Sequence, residues 1–141
     1  MHLPIETRFG GYSKSRVFAL KHCLVVEDSH IIRQVACGIL EDMQFYAEEA
    51  TDSAAALEAC RAQMPDCVLV DLPDTGRLEF LRALRRENSG SKPVVVFVIL
   101  ENNVDQIRDA LNAGADDYLM KPFDRAALEA KLAEAGLMSA P

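Results

Sequence analysis

No stretch of this chain stays apolar for long enough to cross a bilayer. The longest run, Val94 to Leu100, covers seven residues, whereas a membrane helix needs about twenty. The amino terminus lacks the apolar block of a secretory signal, so a cytoplasmic location is expected. Positive charge is also scarce, with fifteen Lys and Arg against twenty-two Asp and Glu and a net charge of −7. That sign repels phosphate backbones and anionic headgroups, which excludes nucleic acid and membrane surfaces as direct partners. The four cysteines, Cys23, Cys37, Cys60 and Cys67, form no C-x-x-C pair, and three of them lie inside apolar segments. Reduced structural thiols are the expectation. His2, His22 and His30 share neither helical spacing nor a cysteine partner, which leaves no transition-metal site.

What is present is an ordinary globular composition, 50% hydrophobic and 26% charged over 141 residues without low-complexity tracts, enough for one domain with a real core. Residues 1–20 mix Pro4, Gly10 and Gly11 with polar side chains and no periodicity, and read as a flexible extension to a domain spanning 21–138. From His22 onward, short apolar runs alternate with helical patterns. Cys23 to Val26, Cys67 to Val70 and Val94 to Leu100 are continuously apolar, as strands covered on both faces are. Tyr46 to Ala50 and Tyr118 to Met120 fit less buried strands. Between them, Ile31, Ile32, Val35, Ile39, Leu40 and Met43 repeat at helical intervals after Asp28 or Ser29 as cap. Asp52 or Ser53 opens a second helix that ends before Pro65, and Leu78, Leu81 and Leu84 mark a third. Val104, Ile107 and Leu111 mark a fourth, stopped at Gly114, and Asp124 caps a fifth carrying Leu128 and Leu132. The order is (βα)₅, which calls for a parallel sheet.

In such a sheet, ligands bind outside the carboxyl ends of the strands. Glu27 and Asp28 follow the first strand, Asp71 ends the third, and Lys121 follows the fifth. Each has a plain reading when taken alone: Glu27 and Asp28 as helix caps, Asp71 as a solvated turn, Lys121 as a surface lysine. Converging in one crevice, three carboxylates require a cation, and a hard oxygen set suits Mg²⁺. Asp71 could then attack a phosphoryl donor while Lys121 offsets charge on the transferred group.

The segments LVVEDS at 24–29, VLVD at 68–71 and GADDYLMKPF at 114–123 resemble the receiver domain of response regulators. LEFLRALR at 78–85 and the run from Lys121 to Leu137 are most similar to the single-domain chemotaxis type, the CheY-like receivers. The resemblance implies a flavodoxin-like α/β fold, a three-layer sandwich around a five-stranded parallel sheet of order 2-1-3-4-5. It implies Glu27 and Asp28 as the acidic Mg²⁺ pair and Asp71 as phosphoacceptor. Pro73 would add a backbone carbonyl to the metal, and Lys121 would contact the phosphoryl group. Tyr118 corresponds to the aromatic switch residue, and Lys121–Pro122 to a cis peptide bond. The implied role is phosphorelay in two-component signalling, and the likeness to the chemotaxis type implies chemotaxis or motility as its setting. The phosphoryl group would come from a histidine kinase or phosphotransfer protein, and the target would dock on the fourth helix, fifth strand and fifth helix. Catalysis is expected only of the chain's own phosphorylation and dephosphorylation. With no output domain expected after Pro141, the effect would pass through protein contact, as a monomer or weak homodimer.

Three positions depart from the family pattern. Ile99 stands where a Ser or Thr hydroxyl is usual and cannot donate a hydrogen bond to a phosphoryl oxygen. Leu100 replaces a small residue and is expected to narrow the entrance unless its side chain turns away. The loop after Asp71, Leu72 to Gly76, is shortened, so weakened Mg²⁺ binding is expected; Asp74 and Thr75 read as turn residues more readily than as substitute ligands. These departures define the alternative, a degenerate receiver that works as a phosphorylation-independent interaction or dimerisation module. A flavin carrier on the same fold is excluded by EDSHIIR at 27–33, where acidic side chains would oppose a flavin phosphate.

Overall fold

The computed structural model describes residues 20–100 and 103–139; most of the expected extension, residues 1–19, lies outside them. The elements alternate strictly: β1 Lys21–Glu27, α1 His30–Asp42, β2 Phe45–Ala50, α2 Ser53–Ala62, β3 Cys67–Asp71, α3 Asp74–Arg86, β4 Val94–Ile99, α4 Val104–Asn112, β5 Asp117–Met120 and α5 Arg125–Glu134. All strand pairs are parallel, and the sheet order is β2-β1-β3-β4-β5. This is the expected (βα)₅ sandwich.

The continuous apolar runs are continuous because both sheet faces are covered. Leu24, Val26, Val68, Val70, Val95 and Phe97 face a core closed by Cys60 of α2, Phe80 and Leu81 of α3 and Ala110 of α4. Cys23, Val25, Cys67, Leu69, Val96 and Val98 face the opposite core, closed by Cys37 and Leu40 of α1 and Leu128 and Leu132 of α5. Burying each large aliphatic side chain contributes roughly 1.5–3 kcal/mol. All four cysteines are buried and outside any disulfide. Burial pushes the Cys60 thiol up to about 12, and contact with Cys67 together with burial raises that of Cys23. Both therefore stay protonated and unreactive.

Local signals select the helix starts. Ser29, not Asp28, caps α1 by accepting from the Ile32 amide, and Asp52 caps α2 from the Ala55 amide at 2.8 Å. Asp124 caps α5 as expected, at 2.9 Å from the Ala127 amide, and Asn103 caps α4 at 3.1 Å from Gln106. Gly114 ends the α4 turn with φ +110°, a conformation that side chains disfavour.

Two features shape the carboxyl edge of the sheet. Strand β4 stops at Ile99, one residue short of the apolar run, and Leu100 turns outward with 68% exposure. The apolar residues in the first turns of α1 remain largely in solvent. Ile31, Ile32 and Val35 stay 74%, 44% and 58% exposed, while Leu40 two turns later is fully buried.

Candidate phosphoryl site at the strand ends

The strand register sets the site. In the β1–β3 pairing Glu27 stands directly beside Asp71, so two carboxylates meet at the ends of the two central strands. Lys121 is brought alongside by its backbone amide, which donates to the Ile99 carbonyl at 2.8 Å beyond the β4–β5 ladder. Its ammonium reaches Asp71 Oδ2 at 2.8 Å. The Lys121–Pro122 peptide bond is cis. Glu27, Asp28, Asp71, Pro73 and Lys121 line one cavity of about 650 Å³.

Glu27 is the electrostatic centre of that cavity. It is 4% exposed, and its Oε1 accepts from the Ser29 amide at 2.9 Å. Oε2 is buried without a hydrogen-bond partner. Removal from water, followed by the neighbouring Asp71 carboxyl, pushes its carboxyl up from 4.5 to about 8. Arg33, itself buried, fixes the Glu27 backbone: Nη1 donates to the Glu27 carbonyl at 2.8 Å while Nε is held by Glu49 at 2.9 Å. An orphaned oxygen beside a second carboxylate is an arrangement that a hard cation completes, so the donor set fits Mg²⁺. Among the described residues no group of three or more His, Cys, Asp or Glu side chains is gathered closely enough to hold a metal ion by itself.

Residues 23–133 match the family described as the response regulator receiver domain. The chain belongs to that family. The match takes in all five strands and helices apart from the outermost residues of β1 and α5, and includes both acidic strand ends and Lys121. Among curated relatives, the phosphate regulon transcriptional regulatory protein PhoB of Escherichia coli is 36% identical over 115 residues, 79% of this chain and 50% of PhoB. The receiver thus spans about half the length of that relative. Among solved structures, the chemotaxis protein CheY4 of Vibrio cholerae superposes with a TM-score of 0.76 at 26% identity, covering 82% of this chain and 98% of CheY4. The receiver domain of the sensor histidine kinase PA1611 of Pseudomonas aeruginosa, with a magnesium ion coordinated in its active-site cleft, gives 0.74 at 26% identity over 82% and 96%. The receiver domain of Saccharomyces cerevisiae Ssk1, crystallised with the histidine phosphotransfer protein Ypd1, gives 0.72 at 25% identity over 86% and 92%.

The remaining expected residues take different places in this receiver. Ile99 is 2% exposed and belongs to the core, outside the cavity lining. Tyr118 also lies outside the lining, half-buried against that core, with the Lys131 ammonium 4.8 Å from its ring centroid. The outward turn of Leu100 leaves it at the cavity rim. Pro73 ends the short β3–α3 connection, and its carbonyl accepts from the Arg77 amide at 3.1 Å, the first bond of α3. The backbone of Asp74 and Thr75 forms the first turn of that helix; their side chains lie outside the described part of the molecule. Arg77 was not anticipated as a cavity residue. It is 6% exposed, lines the cavity, and sets its guanidinium 5.3 Å from the centroid of the Phe97 ring. A cation four residues past a helix-capping proline carries no local signal for that position.

Proposed function

We propose that this receiver accepts a phosphoryl group on Asp71 from a phosphohistidine donor and transmits the change by protein contact. The observation that carries the reading is the Asp71–Lys121 pair, 2.8 Å long, beside a register-matched Glu27 whose second oxygen has no partner. An Asp71 carboxylate oxygen forms the new bond to phosphorus as the bond to the donor nitrogen breaks, and the departing imidazole takes a proton. Lys121 exchanges part of its contact with Asp71 for a phosphoryl oxygen, which keeps its charge beside the developing negative charge. Mg²⁺, when held by Glu27, Asp28 and Asp71, supplies charge neutralisation at the phosphoryl oxygens. The acyl phosphate and its hydrolysis are the chemistry assigned to this domain, which is otherwise a signalling module.

The donor's approach is supported by the apolar groove of about 430 Å³ formed by Ile31, Ile32, Val35, Leu100 and Phe123, which reaches Lys121 at the rim of the acidic cavity. The Ssk1 receiver's complex with Ypd1 supports a histidine phosphotransfer protein as the class of partner. Output is assigned to the face of α4, β5 and α5, where Val104, Leu111 and Met120 are exposed at 64%, 47% and 40%. PhoB is a transcriptional regulatory protein and CheY4 a chemotaxis protein; chemotaxis or motility is the output proposed for this chain, on resemblance alone.

Incubation with Mg²⁺ and acetyl phosphate is expected to add the mass of one phosphate to the intact chain, and Asp71→Asn to abolish the addition. No mass increase with any donor overturns this reading. It would favour the second one, a phosphorylation-independent interaction module, for which the buried Ile99 at the place of a hydroxyl is the specific support.

A further inference from the structure

Three acidic side chains and two fixed cations line the phosphoryl cavity among the described residues: Glu27, Asp28 and Asp71 against Lys121 and Arg77. Lys121 is already committed to Asp71. Arg77 joins the lining from the first turn of α3. Its helix turn begins at the Pro73 carbonyl, and its guanidinium lies over Phe97, which pairs in register with Val70, the residue preceding Asp71. The cation is therefore held over the strand that neighbours β3, in the same cavity lining as the phosphoacceptor.

Burying a guanidinium this deeply costs several kcal/mol in desolvation, roughly, unless fixed charges compensate it. Stacking on an aromatic face holds the group by its flat side. The five N–H donors of a guanidinium lie in its plane, away from that face, in a fork that matches the oxygens of a phosphoryl group. On this wall the end of β4 offers only the apolar side chains of Val98 and Leu100, which donate nothing, and Ile99 is withdrawn into the core. A phosphoryl group on Asp71 adds negative charge to a cavity already rich in carboxylates, and Lys121 can balance it from one side only.

We propose that Arg77 is a phosphoryl-contacting residue, donating to the phosphoryl oxygens from the β4 wall while Lys121 does so from the β5 side. The proposal rests on the reading of Asp71 as phosphoacceptor and adds a contact specific to this chain. The test compares wild type, Arg77→Gln and Arg77→Lys of the full chain. Three measurements are made: acetyl phosphate uptake by intact mass, beryllofluoride affinity with Mg²⁺ by thermal shift, and amide NMR shifts on titration with inorganic phosphate alone.

Loss of one charge-assisted contact is expected to weaken beryllofluoride binding and raise the half-saturating acetyl phosphate about tenfold or more in Arg77→Gln. Arg77→Lys, which keeps charge but loses the fork, is expected to fall between. Equal affinities in all three proteins overturn the proposal and leave Arg77 as packing on Phe97, a role the anion titrations would not register. Should Arg77→Gln fail to fold, Arg77→Lys carries the test alone, and wild-type affinity in it is the overturning result. If wild type takes up no phosphoryl group yet binds inorganic phosphate through Arg77, the acceptor reading falls and the contact stands. If wild type binds none of the three probes, both fall.

Discussion

At the residue scale, Glu27 makes the most direct statement about charge in the pocket. Burial, followed by the adjacent Asp71 carboxyl, pushes its folded carboxyl up from 4.5 to about 8. Between those two values the folded chain holds a proton that the unfolded chain has released, so folding stability falls as pH rises. The contribution is fully present below the unfolded value and is lost as pH climbs through about 8. Urea unfolding of the Mg²⁺-free protein is expected to show a lower midpoint at pH 8.5 than at pH 6, and Glu27→Gln to flatten that difference. A midpoint unchanged or higher at the alkaline pH contradicts the assignment. Arg33 is legible only in retrospect: it reads as a polar position on the first helix, and only folding brings its guanidinium to the Glu27 carbonyl and Glu49.

At the scale of the element, α1 divides into two halves with different tasks. Its carboxyl half anchors the sheet through Ala36, Cys37 and Leu40, each at most 5% exposed. The amino half carries Ile31 and Val35 into solvent above the strand ends. Leu40→Ala is expected to cost about 2–5 kcal/mol in chemical denaturation, as other fully buried leucines do. By contrast, Ile31→Asp and Val35→Asp should change stability by no more than about 0.5 kcal/mol. The same pair should slow transfer from a phosphorylated histidine phosphotransfer protein roughly tenfold, the loss of an apolar anchor at an interface, while acetyl phosphate uptake stays at the wild-type rate. Parallel loss of both activities would place the defect in the pocket instead. The helical repeat was readable from residue spacing alone, but it could not separate these halves. Periodicity reports which side is apolar, and burial depends on where the sheet ends.

On the scale of the whole molecule, the acidic pocket couples ion binding to folding, because any ion held by the folded strand ends stabilises them by mass action. At tenfold over its dissociation constant Mg²⁺ is expected to add about 1.4 kcal/mol and to raise the unfolding temperature by a few degrees. EDTA should reverse the shift and Glu27→Gln should remove most of it. An unfolding temperature insensitive to Mg²⁺ would count against the ligand set.

The alternation of strands and helices, the two-sided burial of the central strands and the acidic residues at their ends were determined by the sequence by itself. These follow from short-range rules: a covered strand must be apolar throughout, a helix start needs a cap, and a residue just past an apolar run must lie at the carboxyl edge. The sheet order came only from resemblance, since alternation alone leaves the neighbours of each strand open. Tertiary structure decided the rest: the pairing of Glu27 with Asp71, the outward turn of Leu100, the exposure of Ile31 and Val35, and the arrival of Arg77 over Phe97. Each depends on groups brought together from separate elements, and no spacing along the chain encodes the point at which two strands come into register.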